Sequence, residues 1–205
     1  MMKLYWSSRS PFVRKVMIAA HELGLNDQLH CVRTVVHPNA PNDALMEDNP
    51  LSKLPTLVLD NGKPVYDSRV ICEYLDSLRG GGILFPASYP LRLDALREQA
   101  LGDGLMDLAL LWLIERAKPE EVRSSELIAA CRKKVVRAVG RLETDLDKMI
   151  NRSLDIGQIT IGAALLYFDF RFNEEGWRDG HPRLASWHQS FAERPSVIAN
   201  PAVDQ

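Results

Sequence analysis

The first 80 residues switch hydrophobic repeat several times. Lys3-Leu4-Tyr5-Trp6 is a short apolar strand. From Phe12 to Leu23 the apolar residues Val13, Val16, Met17, Ala20 and Leu23 recur at three- and four-residue spacing, the repeat of one helix face, and Gly24 follows as a stop. Leu29 to Val36 predicts a second strand ending at His37-Pro38, and 38–49 is a polar, proline-bearing loop with at most a short helix. Leu54-Pro55-Thr56-Leu57-Val58-Leu59 and Pro64-Val65-Tyr66 flank Asp60-Asn61-Gly62, and Asn-Gly between apolar runs is a strong hairpin signal. Asp67-Ser68 then precedes a helix containing Ile71 and Leu75, with either residue as its cap, and Gly80-Gly81-Gly82 closes the region.

Beyond the proline-marked connection Leu84–Pro90 only the helical repeat remains. Leu93, Leu96, Ala100, Leu105, Leu108 and Trp112 predict one helix face, with Gly102 and Gly104 as points where it could bend. Ile128, Cys131, Val135, Val139, Leu142, Leu146 and Met149 form a second stripe. Residues 159–172 are apolar nearly all round, which predicts a central, buried helix. Asp155-Ile156-Gly157-Gln158 in front of it reads as a reciprocal capping box, Asp155 on the Gln158 N–H and Gln158 back on Asp155. Leu184, Trp187, Phe191 and Val197 predict a last helix or two. The pattern implies a small α/β domain over 1–80, a linker over 81–90 and an all-α helical domain over 91–205.

Composition narrows the partners. The 205 residues carry a formal charge of −2, which leaves no electrostatic footprint for nucleic acid or an anionic membrane. Cys31, Cys72 and Cys131 are an odd, widely spaced set without C-x-x-C, which fits free thiols in a reducing compartment. The chain enters its first strand without a charged-then-apolar leader, and no apolar run approaches a membrane span, so a cytoplasmic protein is the expectation. The histidines show no ligand spacing, so no metal site is expected.

Candidate chemistry begins at Ser7-Ser8-Arg9-Ser10-Pro11. Ser10 is placed as an N-cap, its oxygen accepting from an orphan backbone N–H, and Pro11 at the first helical position loses no needed donor. A hydroxyl at the positive end of a helix dipole can also hold an anion or a thiolate, but on this stretch alone a cap and nothing more is the commoner role of such a serine. Pro55 opens an apolar strand, where proline cannot donate to a ladder. The commoner reading is an ordinary trans bond; a cis Leu54–Pro55 bond would turn the Leu54 N–H and C=O outward toward a bound peptide.

Three separated stretches together carry a resemblance. Ser10-Pro11-Phe12-Val13-Arg14-Lys15-Val16, Asn49-Pro50 through Leu54-Pro55-Thr56-Leu57, and Asp67-Ser68 through Glu73-Tyr74-Leu75 resemble the glutathione-binding half of the cytosolic glutathione S-transferases, of the bacterial, serine-type kind. Leu154 to Leu165, His181 to Trp187 and Arg194-Pro195-Ser196-Val197 are similar to that family's helical half. The resemblance implies an α/β thioredoxin-like N-terminal domain plus an all-α C-terminal domain, usually as a homodimer. It implies a glutathione transferase for detoxification, activating the thiol for attack on a small electrophile, with glutathione as co-substrate and no other cofactor. The alternatives are a glutathione-dependent reductase or peroxidase, which needs a cysteine where Ser10 stands, and a non-catalytic member binding glutathione or a protein.

By the same resemblance Ser10 is the activating residue, with Tyr5, Ser7 and Ser8 as rivals. Leu54 offers its backbone to the cysteinyl part of glutathione and Pro55 is cis. Asp67 and Ser68 hold the γ-glutamyl end, although Asp67 is one methylene shorter than the family's usual residue there. Lys53 is placed to reach the glycine carboxylate. Arg14 and Lys15 are read as solvated on the first helix turn and Cys72 as packing, while Trp112, within 105–116, is expected to line the second-substrate pocket.

Overall fold

A computed structural model describes residues 1–204. The chain forms two compact units, one made of Met1–Arg92 with the segment from Pro195 onward, the other of Leu93–Arg194. In the first unit β1 (Met2–Trp6), α1 (Pro11–Glu22), β2 (Leu29–Arg33), α2 (Asp43–Met46), β3 (Thr56–Val58), β4 (Pro64–Val65) and α3 (Ser68–Ser77) follow in order, and α8 (Pro195–Ile198) returns to it.

The four strands form one mixed sheet in the order β2-β1-β3-β4. β1 and β2 are parallel, with Leu4 opposite Cys31, while β3 is antiparallel to both β1 and β4. β2 stops at Arg33, short of the predicted Val36. Arg33 is opposite Trp6, the last residue of β1, so Val35 and Val36 have no strand beside them, and Val35 is 73% exposed. α1 packs against α3, and Leu4, Leu57, Val16, Ala20, Ile71 and Leu75 are buried in this unit. Lys15, expected in solvent, is 0% exposed. One helical turn either side of it stand Pro11 and Ala19, both buried, so Lys15 lies on the buried face of α1, with its Nζ 5.8 Å above the Phe12 ring. Asp76, also buried, accepts from the backbone N–H groups of Gly82, Ile83 and Leu84 at 2.9, 3.2 and 2.7 Å and so folds the glycine run back onto α3.

The second unit comprises α4 (Tyr89–Arg116, which begins in the first), α5 (Ser125–Ile150), α6 (Ile156–Arg171) and α7 (Pro182–Ala192). α6 is the central helix, with every residue from Ile156 to Phe168 buried. α5 buries Cys131, Val135, Val139, Leu142, Leu146 and Met149 as its repeat predicts. α4 keeps only part of its predicted face: Leu105 and Trp112 are buried, but Ala95, Glu98, Gln99, Gly102, Asp103, Met106 and Ala109 turn inward too, whereas Leu93 is 51% exposed. The helix runs through Gly102 and Gly104 without interruption, and Gly102 marks a close approach instead. A Cβ there would stand 2.8 Å from the Thr160 carbonyl carbon and 2.9 Å from the Ile161 nitrogen of α6.

The capping box at α6 forms by half. Asp155 Oδ1 accepts from the Gln158 N–H at 3.1 Å, but the Gln158 amide donates to the Ser153 carbonyl at 2.9 Å, not to Asp155. The second Asp155 oxygen is taken by Arg152, 2.9 Å away, which also holds Glu98 of α4 at 2.5 Å. That guanidinium is what lets a glutamate face inward on α4.

Candidate functional site

The register of the sheet decides which loops meet. Tyr5, near the end of β1, lies opposite Thr56 at the start of β3, and Leu57 lies opposite Val65 at the end of β4. The loop leaving β1, the loop entering β3 and the loop leaving β4 therefore emerge at one end of the sheet. These are the segments that carry Ser10, Leu54-Pro55 and Asp67-Ser68. Both α1 and α3 begin there, so two helix N-termini, each with orphan N–H groups and a partial positive charge, belong to the same edge.

Ser10 caps α1 as its sequence position predicts. Its backbone is extended (φ −82°, ψ 119°), and its Oγ accepts from the Val13 N–H at 3.3 Å. Ser10 N–H in turn donates to the Ser7 carbonyl at 3.2 Å, closing a four-residue turn with Ser8 and Arg9 at its corners. Among the described residues the Ser10 hydroxyl hydrogen has no acceptor, so the group is free to donate.

The rival hydroxyls differ in this respect. Tyr5 donates to Asp48 Oδ2 at 2.7 Å and accepts from Lys3 Nζ at 2.8 Å, and Lys3 and Asp48 are themselves 3.0 Å apart. The tyrosine hydrogen bond, more than any other influence, holds the Asp48 carboxyl below the usual carboxylate range, and the same hydroxyl leads the causes that raise the Lys3 ammonium. Ser8 is buried and donates to the Val203 carbonyl at 2.9 Å. Ser7 accepts from the Arg9 N–H at 3.3 Å and is half-buried like Ser10, but it stands outside the helix and lacks the dipole.

The loop before β3 is shaped by a buried amide. Asn49, 1% exposed, donates to the Lys53 carbonyl at 3.2 Å and to Thr56 Oγ1 at 2.9 Å, and accepts from the Leu51 N–H at 3.1 Å. Thr56 Oγ1 donates to the same Lys53 carbonyl at 2.9 Å. Ser52 sits in the left-handed region at φ 49°, and its Oγ accepts from the Asn42 N–H at 2.9 Å. The Leu54–Pro55 bond is cis. Among the described residues neither the N–H nor the C=O of Leu54 is hydrogen-bonded, which leaves one donor and one acceptor for a ligand. Lys53 is exposed, with no ion pair among the described residues.

At α3 the cap is Asp67, whose Oδ1 accepts from the Arg69 N–H at 2.9 Å, and Ser68 is the first helical residue, 2% exposed. The Tyr66–Asp67 bond is also cis. Of two further expectations, the packing role of Cys72 holds and the pocket role of Trp112 does not. Cys72 is buried packing. Trp112 is 2% exposed, its ring 4.7 Å from that of Phe172 with the Arg132 guanidinium 5.5 Å above it, so it belongs to the helical core and not to a pocket wall. The exposed apolar side chains in its stretch are Leu111 and Ile114. Two contacts had no complete signal in the sequence. Lys3 and Tyr5 share a strand face by their spacing of two, but nothing local marks Asp48 as their partner. Nothing marks Val203 as the acceptor for Ser8.

Comparison with known proteins agrees with this geometry. Residues 9–78 match the family model described as the glutathione S-transferase N-terminal domain, and residues 125–190 match that of its C-terminal domain. An uncharacterized GST-like protein of Escherichia coli (strain K12), YibF, is 30% identical over 197 residues, which is 95% of this chain and 96% of that one. A solved glutathione transferase family member from Pseudomonas fluorescens Pf-5, with bound glutathione, superposes with a TM-score of 0.96 at 38% identity, covering 100% of both chains. A glutathione S-transferase from Methylobacillus flagellatus KT, solved with glutathione bound, superposes with a TM-score of 0.90 at 33% identity over 99% of this chain and 100% of that one. With its thioredoxin-like sheet unit and its helical unit, this chain belongs to the glutathione S-transferase family.

Proposed function

We propose that this protein is a glutathione transferase in which Ser10 stabilises the glutathione thiolate for attack on a small electrophile, a detoxifying conjugation. The observation that carries the reading is the convergence at one sheet end of a cap hydroxyl with a free hydrogen, an unpaired Leu54 backbone and two helix N-termini. In this reading Leu54 pairs in strand fashion with the cysteinyl residue, across the cis Leu54–Pro55 bond. Ser68, at the start of α3, receives the γ-glutamyl carboxylate, and the Asp67 oxygen not used in capping faces the ammonium. Lys53 reaches the glycine carboxylate. The active form is a cytoplasmic homodimer whose partners are glutathione and the electrophile.

The energetics are modest. A free thiol titrates at about 8.5, so only a few per cent is thiolate at neutral pH. A hydroxyl hydrogen bond to the charged sulfur contributes about 1.5–3 kcal/mol, and the α1 dipole about 0.3–1 kcal/mol. At about 1.36 kcal/mol per pKa unit the hydroxyl alone lowers the thiol by one to two units, which raises the thiolate from a few per cent to about a quarter to three quarters at pH 7. Ser10 is thus a donor and an orienting group, not a base, and the fixed peptide presents its sulfur to the second substrate.

Turnover of glutathione with a generic electrophile tests the reading. Ser10→Ala should lower kcat about 10- to 30-fold at neutral pH, the fall in thiolate fraction when the thiol returns to about 8.5, with glutathione affinity largely kept. Unchanged turnover in Ser10→Ala sinks the assignment, and failure of the wild-type protein to bind glutathione sinks the function.

A further inference from the structure

The turn that delivers Ser10 to the site is held from the far end of the chain. Its corner residues are Ser8 and Arg9, and their backbone torsions set where Ser10 stands at the head of α1. Both are engaged by the segment after α8. Ser8 Oγ donates to the Val203 carbonyl at 2.9 Å, and Arg9 Nε lies 3.2 Å from Asp204 Oδ1.

That segment is anchored at its other end as well. α8 packs on α1, and Ser196 Oγ, on a residue 2% exposed, donates to Glu22 Oε1 at 2.5 Å. Asn200 folds back to the Ser196 carbonyl at 2.8 Å before the chain leaves α8. Glu22 is the last residue of α1 and Ser8 stands just before its first, so the chain from Ser196 to Val203 spans the helix end to end. Twelve helical residues extend about 18 Å; Ser196–Asn200, wound at about 1.5 Å per residue, and Asn200–Val203, extended at about 3.4 Å per residue, together reach about 16 Å of backbone, so the side-chain contacts at its two ends close the span with little slack. Under the strap lies a cavity of about 180 Å³ between Trp6, Val13 and Met17 on one side and Pro201 and Val203 on the other. The polar contacts to Ser8 and Arg9, more than close packing, therefore hold the strap to the turn. The Arg9–Asp204 pair is half exposed and screened, so most of the restraint is the buried Ser8 hydrogen bond.

We propose that Ser8 is a positioning residue for the thiolate site and that the 201–204 strap, through Ser8, holds the Ser7–Ser10 turn in the conformation that aims the Ser10 hydroxyl at the glutathione sulfur. The inference rests on the role given to Ser10 above. Ser8 touches no substrate; it acts through Ser10. Loosening the strap leaves Leu54, Asp67 and Ser68 in place and affects only the group that stabilises the charged sulfur.

The test is the pH dependence of glutathione conjugation, which reports the apparent pKa of the bound thiol, measured with glutathione affinity by calorimetry and with thermal melting. Four proteins are compared with wild type: Ser8→Ala, Ser8→Thr, the chain cut after Asn200, and Ser10→Ala. Ser8→Ala and the cut chain should each raise the thiol pKa by about half a unit or more. Since a pKa unit is tenfold in thiolate, turnover then falls about threefold or more below that pKa. Glutathione affinity should stay within about twofold, and Ser8→Thr, which keeps the hydroxyl, should stay near wild type.

If Ser10→Ala raises the pKa while Ser8→Ala and the cut chain leave it alone, the strap proposal is overturned and the Ser10 assignment stands. Loss of affinity in place of a pKa shift overturns it too. If Ser10→Ala itself leaves the pKa unmoved, the Ser10 reading fails and the strap falls with it. Should the cut chain not fold, the Ser8→Ala and Ser8→Thr pair decides alone.

Discussion

Replacing Arg152 with methionine removes the one cation shared by two carboxylates inside the helical unit. Glu98, Asp155 and Arg152 have side chains only 7%, 2% and 11% exposed, with Arg152 lying 2.5 Å from Glu98 and 2.9 Å from Asp155. Burial, the largest influence on each carboxyl, pushes both above the usual carboxylate range, and Arg152 opposes it. Methionine keeps most of the stem volume but leaves both charges without a counter-ion. Removing one partner of a buried ion pair costs about 3–5 kcal/mol. At about 2–4 °C of melting temperature per kcal/mol for a chain this long, the loss is about 6–20 °C.

The sign with pH follows from the shifts. A carboxyl whose folded pKa lies above its unfolded value binds its proton more readily in the native state. Native stability is then lost as pH rises through the interval between the two values and regained as pH falls below it. Without Arg152 both folded values rise further, so the interval widens upward. Chemical denaturation of wild type and Arg152→Met at pH 7.5 and pH 5 should show the larger deficit at pH 7.5 and partial recovery at pH 5. A variant as stable as wild type at pH 7.5, or one whose deficit grows on acidification, refutes the account of a cation holding two buried charges.

Other perturbations test single contacts. Asp76→Ala strips the acceptor from three backbone N–H groups, of which that of Leu84 is buried while Gly82 and Ile83 are exposed, and should cost about 1–3 kcal/mol in denaturant unfolding, the cost of one stranded buried donor. Gly102→Ala drives a methyl against α6 backbone atoms and should lower the melting temperature despite alanine's better helix propensity, at a cost of about 1–3 kcal/mol. Tyr5→Phe should leave glutathione turnover within about twofold while removing about 1 kcal/mol of stability, because its hydroxyl is committed to Asp48 and Lys3. A large loss of kcat in Tyr5→Phe would return the tyrosine to the site.

Legibility in the sequence followed how local each cause is. The cap at Ser10, the hairpin at Asn61-Gly62, the stripe on α5 and the all-round apolar α6 are set by residues within a few positions of one another, and each is where its pattern puts it. β2 was over-read by three residues because its length is set by where β1 ends, not by the β propensity of Val35 and Val36. On α4 the repeat finds Leu105 and Trp112 but not the rest of the inward face, which carries Glu98 and Asp103, and Glu98 is admitted by Arg152, which is 54 positions away. Lys15 departs from expectation as well, since it lies on the buried face of α1 and is 0% exposed, ammonium included.

The candidate site divides along the same line. Its candidate groups are legible because a cap, a proline and a serine at a helix start are short-range signals. What restrains them is not. Asp48 holds Tyr5 from 43 positions away, and Val203 holds Ser8 from 195 positions away. A hydroxyl that donates to a sulfur must be aimed to within a few tenths of an ångström, and a four-residue turn closed by one backbone hydrogen bond cannot impose that alone. The aim therefore has to come from elsewhere in the fold. In this chain the segment that reaches the turn is the strap after α8, so the part of the molecule with the weakest sequence pattern is the part that reaches the corner residues beside Ser10.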